Sequence, residues 1–172
     1  MENAPTGAEH AADRLTRLVG AYQDTLLKLC YVYLRDRELA RDAVQDTFLK
    51  AHRAMGTFRG ECSEKTWLIR IAMNTCASMK RSGWSRRMDR RFIPEDLPCA
   101  GGEKDEDALD VMCAVMALPQ RLRAVVTLYY WQDMTVQEIA AALGVAQSTV
   151  SVRLQKAREK LRAALEGREE NE

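Results

Sequence analysis

The sequence predicts an all-α chain of two small helical domains joined by a flexible linker, the second domain a helix-turn-helix. Three observations carry this. Apolar residues recur at helical spacing through both ends of the 172-residue chain. Only four prolines occur, and three lie outside the periodic stretches, as helices require of a residue that removes a hydrogen bond and clashes with the preceding turn. Between the ends, residues 83–106 keep no period and gather Gly83, Pro94, Pro98, Gly101 and Gly102, the composition of a tether.

The first dozen residues are small and polar and read as frayed. Leu15, Leu18, Val19, Tyr22, Leu26, Leu29, Cys30 and Tyr33 then form one apolar stripe. Asp36 is placed to cap a second helix, whose apolar face pairs Leu39/Ala40, Ala43/Val44, Thr47/Phe48 and Ala51/His52. Ser63 is placed to cap a third, striped by Trp67/Leu68, Ile71/Ala72, Thr75/Cys76 and Met79. Three amphipathic helices with short loops make a bundle over residues 13–82.

The second domain, residues 107–165, opens with Leu109, Met112, Val115 and Met116. Pro119 suits the first turn of a helix carrying Leu122, Val125, Val126 and Tyr129. Thr135 stands three residues before Glu138, a capping-box spacing that announces a helix over Val136–Leu143. Gly144 supplies the positive φ of a tight turn, Ala140 a small side chain where two helices cross, and Ile139, Leu143, Val145, Val150 and Leu154 the aliphatic closure. Small residue, glycine and buried aliphatics in this order are the pattern of a DNA-binding helix-turn-helix. Outside that core, Gln147, Ser148, Thr149, Ser151, Val152, Arg153, Gln155, Lys156 and Arg158 form a polar face that is basic toward its end. Glutamine and serine suit base edges, arginine and lysine suit phosphates; a merely solvated helix face would also be polar.

Composition bounds the rest. At 47% apolar and 30% charged residues the chain is too apolar for general disorder. A net charge of +1 hides two blocks: six cations from Lys80 to Arg91 against Asp89, and seven acids from Glu95 to Asp110 against Lys104. Opposite blocks can steer different partners, or simply solvate a linker. Five cysteines form no CxxC pair and complete no zinc spacing with His10 or His52, so reduced thiols and no metal are expected. The N-terminus has no signal-peptide pattern and no apolar run reaches the roughly 20 residues of a membrane span; a cytoplasmic chain that does not insert in membranes is expected.

In the first domain, Phe58, Arg59, Lys65, Trp67 and Arg70 mix aromatics with cations, as single-stranded DNA requires. Trp67 lies on the apolar stripe and reads as core; Phe58, in a loop, is the fairer stacking candidate. Asp42 and Asp46, four residues apart with Gln45 between, repel by a few tenths of a kcal/mol, roughly, unless a cationic partner meets them. Docking is one explanation and solvation the other. As a metal pair they lack a third ligand and a phosphate-binding loop, so no catalytic site and no cofactor are expected.

Taken together, ARDAVQDTFLKAH, TFRGECSEKTWLIRIAMN and LPQRLRAVVTLYYWQDMTVQEIAAALGVAQSTVSVRLQKAREKL resemble, in order, the core-binding helix, the promoter-melting segment and the −35-reading domain of extracytoplasmic-function sigma factors, of the sigma-70 family. The resemblance implies a non-enzymatic RNA polymerase subunit that directs promoter recognition and transcription initiation under anti-sigma control. It implies that Asp42, Gln45, Asp46 and Phe48 meet core polymerase, whose β′ and β subunits are the partners. It implies that Phe58, Arg59, Ser63, Lys65, Arg70, Asn74, Lys80 and Arg81 serve the −10 element, where a base is flipped into the Phe58–Lys65 loop. The polar face of the last helix falls where the family reads the −35 major groove. Departures are Glu64, where an apolar or aromatic residue is usual, His52 in place of a common tryptophan, and Ser151–Val152 in place of a basic–serine pair. The alternative is a conventional helix-turn-helix regulator whose N-terminal bundle dimerises or senses a ligand.

Overall fold

A computed structural model describes residues 7–81 and 106–169. The expected linker, apart from its last residue Glu106, which begins a helix, therefore lies outside the described residues, as do all of the basic block beyond Arg81 and the acidic residues before Glu106.

Helix α1 spans Gly7–Leu34. It starts earlier than the frayed segment expected, because three of the seven residues in GAEHAAD are alanine, the strongest helix former, which needs no apolar face. It stops at Arg35, whose φ of 57° breaks the run. Asp36, extended at φ −141°, then accepts hydrogen bonds from the Glu38 and Leu39 amides and starts α2, Arg37–Ala54. After a 3₁₀ turn at Met55–Thr57, the loop bends at Gly60 (φ 74°) into α3, Glu64–Arg81. There the Ser63 hydroxyl accepts the Thr66 amide at 3.0 Å, capping as expected.

Leu18, Leu26 and Leu29 of α1, Val44 and Phe48 of α2, and Leu68, Ile69 and Met73 of α3 close the core of this half. Ala40, Ala43, Ala51 and Ala72, all wholly buried, let the helices approach closely. Each large side chain removed from water contributes about 2 kcal/mol, so the stripe outweighs the weak local propensities. Cys30 and Cys76 are both wholly buried. A hydrogen bond with Cys76, then burial, holds the Cys30 thiol well above its ordinary value, so the pair acts as packing.

The second half holds α4 (Glu106–Ala117), α5 (Gln120–Val126), α6 (Val136–Leu143) and α7 (Gln147–Glu169). Pro119 sits at the N-cap of α5, one residue before the helix. α5 continues as a π-helical segment, Thr127–Trp131, where the sequence predicts plain helix. The expected capping box is present: Thr135 accepts from the Glu138 amide and the Glu138 carboxylate accepts from the Thr135 amide. Gly144 takes φ 64°, and the Val145 amide bonds back to the Ala140 carbonyl at 3.0 Å. Val115, Leu118, Leu122, Val126 and Ala157 form a small core of their own.

The two halves share a seam. Met116, Val125, Leu128, Met134, Ile139, Val150 and Leu154 belong to the same buried cluster as the first bundle, with α3 against α6 and α1 against α5. Arg123, 3% exposed, is the polar clasp. Its guanidinium donates to the Val32 carbonyl at 2.7 Å and the Tyr33 carbonyl at 3.5 Å across the seam, and to Met116 and Leu118 carbonyls at 3.2 and 2.8 Å within its own half. Those carbonyls end α1 and α4, where helix dipoles are negative, so the cation is met by partial charges. Burial, and then nearby Arg35, still pull its pKa down to about 10.

Candidate functional site

Three surfaces carry the residues singled out in the sequence. The first is a groove of about 380 Å³ between α2 and α3, lined by Leu39, Asp42, Gln45, Asp46, Lys50, Thr75, Ser78 and Met79. Lys50 bridges it, 3.9 Å from Asp46 and donating to the Thr75 hydroxyl at 3.0 Å. Asp42, Gln45 and Asp46 thus come together, while Phe48 does not join them. Phe48 is 8% exposed and packs in the core with Val44 and Ala51. Its neighbour Leu49 is 55% exposed instead. Helical spacing carries the reason, since positions 42, 45, 46 and 49 share one face and 44, 47, 48 and 51 the opposite one. That signal was available in the sequence, and Leu49 is the residue it identifies.

The second surface is the loop before α3 and the exposed side of α3. Phe58 is half-buried and its ring lies 4.7 Å from the Trp67 ring, centre to centre, tilted by 33°. The Arg14 guanidinium sits 5.4 Å from the same ring, a cation–π distance. Arg59, Arg70, Asn74 and Arg81 are exposed. Lys65 and Lys80 are turned to the seam: Lys65 Nζ donates to the Gln132 carbonyl at 3.2 Å, and Lys80 Nζ bonds the Gln120 amide oxygen. Burial, then Arg123 and Arg35, lower the Lys80 pKa. The Thr66 hydroxyl reaches Glu138 Oε1 at 3.2 Å. The expected −10 set is thereby divided: Arg59, Arg70, Asn74 and Arg81 are open, while Lys65 is held by the Gln132 carbonyl ahead of α6 and Lys80 by Gln120 of α5.

The third surface is a groove of about 490 Å³ between α5 and α7, lined by Pro119, Arg121, Leu122, Ser148, Thr149, Val152, Arg153 and Lys156. Five of the expected −35 residues meet here, with Val152 50% exposed. Arg121 joins them across the groove, and no local motif marked it because it comes from a different helix. Gln147 and Ser151 are exposed at the rim; the Ser151 hydroxyl bonds the Gln147 carbonyl at 3.2 Å, and the Gln155 amide bonds Glu159 at 3.2 Å. Arg158 is engaged elsewhere. Its Nε donates to the Tyr130 hydroxyl at 2.9 Å, and its guanidinium lies 5.7 and 5.8 Å from the Tyr129 and Tyr130 rings. The hydroxyl contact raises its pKa further.

Such an arrangement suits binding: a polar, cationic groove on a helix-turn-helix, and an acidic groove with one exposed leucine on the other half. Among the described residues no three His, Cys, Asp or Glu side chains are grouped to hold a metal, and no helix is long and apolar enough to cross a membrane.

Comparison with known proteins bears on both halves. Residues 18–86 match the family model of sigma-70 region 2, and residues 108–161 that of sigma-70 region 4. The chain is 31% identical to the RNA polymerase sigma-H factor of Pseudomonas aeruginosa, over 96% of this chain and 92% of that one. It is 33% identical to the ECF RNA polymerase sigma factor SigM of Mycobacterium tuberculosis, over 90% and 77%. Among solved structures, the sigma factor RpoE in complex with the anti-sigma factor NepR, from Bartonella quintana, superposes with a TM-score of 0.69 at 25% identity, covering 88% of this chain and 96% of that one. CnrH in complex with the cytosolic domain of CnrY gives 0.65 at 26%, covering 93% and 94%.

Proposed function

We propose a working mechanism from one premise: this chain belongs to the sigma-70 family of RNA polymerase sigma factors, in its extracytoplasmic-function branch. It directs core polymerase to promoters and initiates transcription. Its own contribution is binding and positioning, with the bond-forming chemistry left to the polymerase. Work on polymerase and promoter DNA puts it in the cytoplasm.

Residues 13–82 serve as the polymerase-docking and −10 module, residues 83–106 as the tether, and residues 107–165 as the −35 module. In the first module, Asp42, Gln45, Asp46 and Leu49 offer acid and one apolar side chain to core polymerase. Phe58, Arg59, Ser63, Lys65, Arg70, Asn74, Lys80 and Arg81 face the melted −10 strand. Flipping a base costs a few kcal/mol of stacking, and cations on the phosphates with polar groups on the base offset it. In the second, Ser148, Thr149, Ser151 and Val152 meet base edges while Arg121, Arg153 and Lys156 hold phosphates on either side. Gln147 and Gln155 extend the polar rim.

The α5–α7 groove is the observation that carries this reading. It gathers the cations and small polar groups a major-groove reader needs, on the helix that follows a capped turn. Regulation follows from the seam. With Lys65 tied to the Gln132 carbonyl and Thr66 to Glu138 of α6, part of the −10 face is covered. A chain in this state must open before it reads both elements. The similarity to RpoE in complex with the anti-sigma factor NepR and to CnrH in complex with the cytosolic domain of CnrY supports control by an anti-sigma partner.

Run-off transcription with purified core polymerase tests it. The full chain is expected to start RNA at a defined site on promoters mapped after its overexpression. A requirement for a second sigma factor on those templates would sink the reading.

A further inference from the structure

Glu64, the first residue of α3, stands where the resembled family usually has an apolar or aromatic side chain, and the structure gives it four charge-assisted contacts. Arg14 Nε and Nη2 donate to Glu64 Oε1 at 3.1 and 3.0 Å. Arg17 Nη2 donates to Oε1 and Oε2 at 2.8 and 2.9 Å. Both arginines lie on α1, about 50 residues upstream, so a single carboxylate fastens α1 to the start of α3. Arg14, so held, lies against the Phe58 ring, which also rests on Trp67. Phe58 belongs to the loop that ends at Ser63, and that loop turns through Gly60 in a conformation other residues rarely adopt. The stack holds the Phe58 ring, beside the Phe58 amide's bond to the Met55 carbonyl at 3.4 Å and the Ser63 cap.

We propose that Glu64 is a positioning residue for −10 recognition: by gathering Arg14 and Arg17 it fixes Phe58 and the base-reading loop, and withholds two guanidinium groups from DNA phosphate. This rests on the sigma-factor reading above. The proposal has two consequences of opposite sign. Removing the carboxylate releases two cations beside the single strand, so affinity for any sequence rises. It also frees the Arg14–Phe58 stack, so discrimination among bases falls. A merely structural role would lower both together.

The test uses holoenzyme reconstituted from the full chain and core polymerase, with promoter duplexes randomised through the −10 region and sequencing of the open complexes. Affinity of the same preparations for an unrelated single-stranded oligonucleotide is measured alongside. Glu64→Gln is expected to reduce the −10 base preference about tenfold, the scale of a charge-assisted hydrogen bond. Affinity for the unrelated strand should rise severalfold, and −35 preference should not change. Arg17→Gln removes an exposed side chain, so the fold holds, and the −10 preference should fall in the same direction. Exchanging the charges, Arg17→Glu with Glu64→Arg, should restore part of it. An unchanged −10 preference in Glu64→Gln overturns the proposal, as does a joint loss of preference and general affinity. A parent holoenzyme that opens no promoter in the pool removes the sigma reading itself, and the proposal with it.

Discussion

The two surfaces proposed to face DNA are presented in opposite ways. The α5–α7 groove opens outward, with Val152 half exposed and Ser148, Arg121 and Lys156 exposed along it. The start of α3 is turned inward, where Lys65 meets the Gln132 carbonyl and Thr66 meets Glu138. Both arrangements trace to the stretch from Gln132 to Glu138, which leads into α6. Glu138 caps its own helix through Thr135 and, with its other oxygen, holds Thr66. One short segment thus sets up the turn that presents α7 and covers part of the opposite module. On the proposed roles, a chain built this way can bring its −35 module to DNA first and its −10 module only after the seam parts.

Breaking the clasp tests that contrast most severely. Arg123→Met leaves four backbone carbonyls in a buried site without their donor, and the expected loss is about 3 kcal/mol of stability. Urea unfolding of the full chain measures it, and amide exchange over residues 64–68 should quicken as α6 lifts. A variant as stable and as protected as the parent would show that the shared apolar cluster alone closes the seam.

Next in size come changes on the open surface. Arg153→Ala should weaken binding to a −35 duplex about tenfold, the scale of one lost DNA contact. Lys156→Ala should lower the dependence of log affinity on log salt by about one, as one phosphate contact is removed. Neither should alter binding to core polymerase. Equal losses in both assays would mean that the groove supports the fold rather than reads DNA.

How much of this was legible in the sequence follows from distance along the chain. The helix-turn-helix was, because capping box, glycine turn and aliphatic closure fall within 20 consecutive residues, each with its own local signature. The three-helix bundle was, for the same reason of period. The resemblance gives Phe48 to the docking face, whereas the period of α2 places it on the apolar face, where it is buried, and leaves Leu49 outside. The seam was not legible: Arg123 and Val32 are 91 residues apart, and nothing local distinguishes an arginine that will bind carbonyls from one that will face water. The Glu64 clamp was visible only as a departure, since its partners lie 50 and 47 residues away. The widening of α5 into a π-helical segment had no signal in TLYYW.

The smallest expected effect separates the two glutamates by pH. The Thr135 amide, its hydroxyl and Thr66 hold the Glu138 carboxyl below its ordinary 4.5 against the opposing effect of burial, and Arg17 and Arg14 do the same for Glu64. For an acid whose folded pKa is depressed, the unfolded chain binds the proton first. The stabilisation is therefore complete above about 4.5 and fades as pH falls through the folded value. Both groups sit near solvent, so the change in unfolding midpoint is small for each. Their consequences for the covered surface differ, because Glu138 lies on the seam and Glu64 pairs with α1 away from it. Acid should therefore increase access to residues 64–68 in the parent, measured by amide exchange corrected for its intrinsic pH dependence. Glu138→Gln should abolish most of that increase, since a neutral amide does not titrate, while Glu64→Gln, which acts on α3 only through α1, should remove less of it. If Glu64→Gln flattened the profile and Glu138→Gln did not, the cover over α3 would be governed from α1, and the contrast between the two DNA-facing surfaces would need another cause.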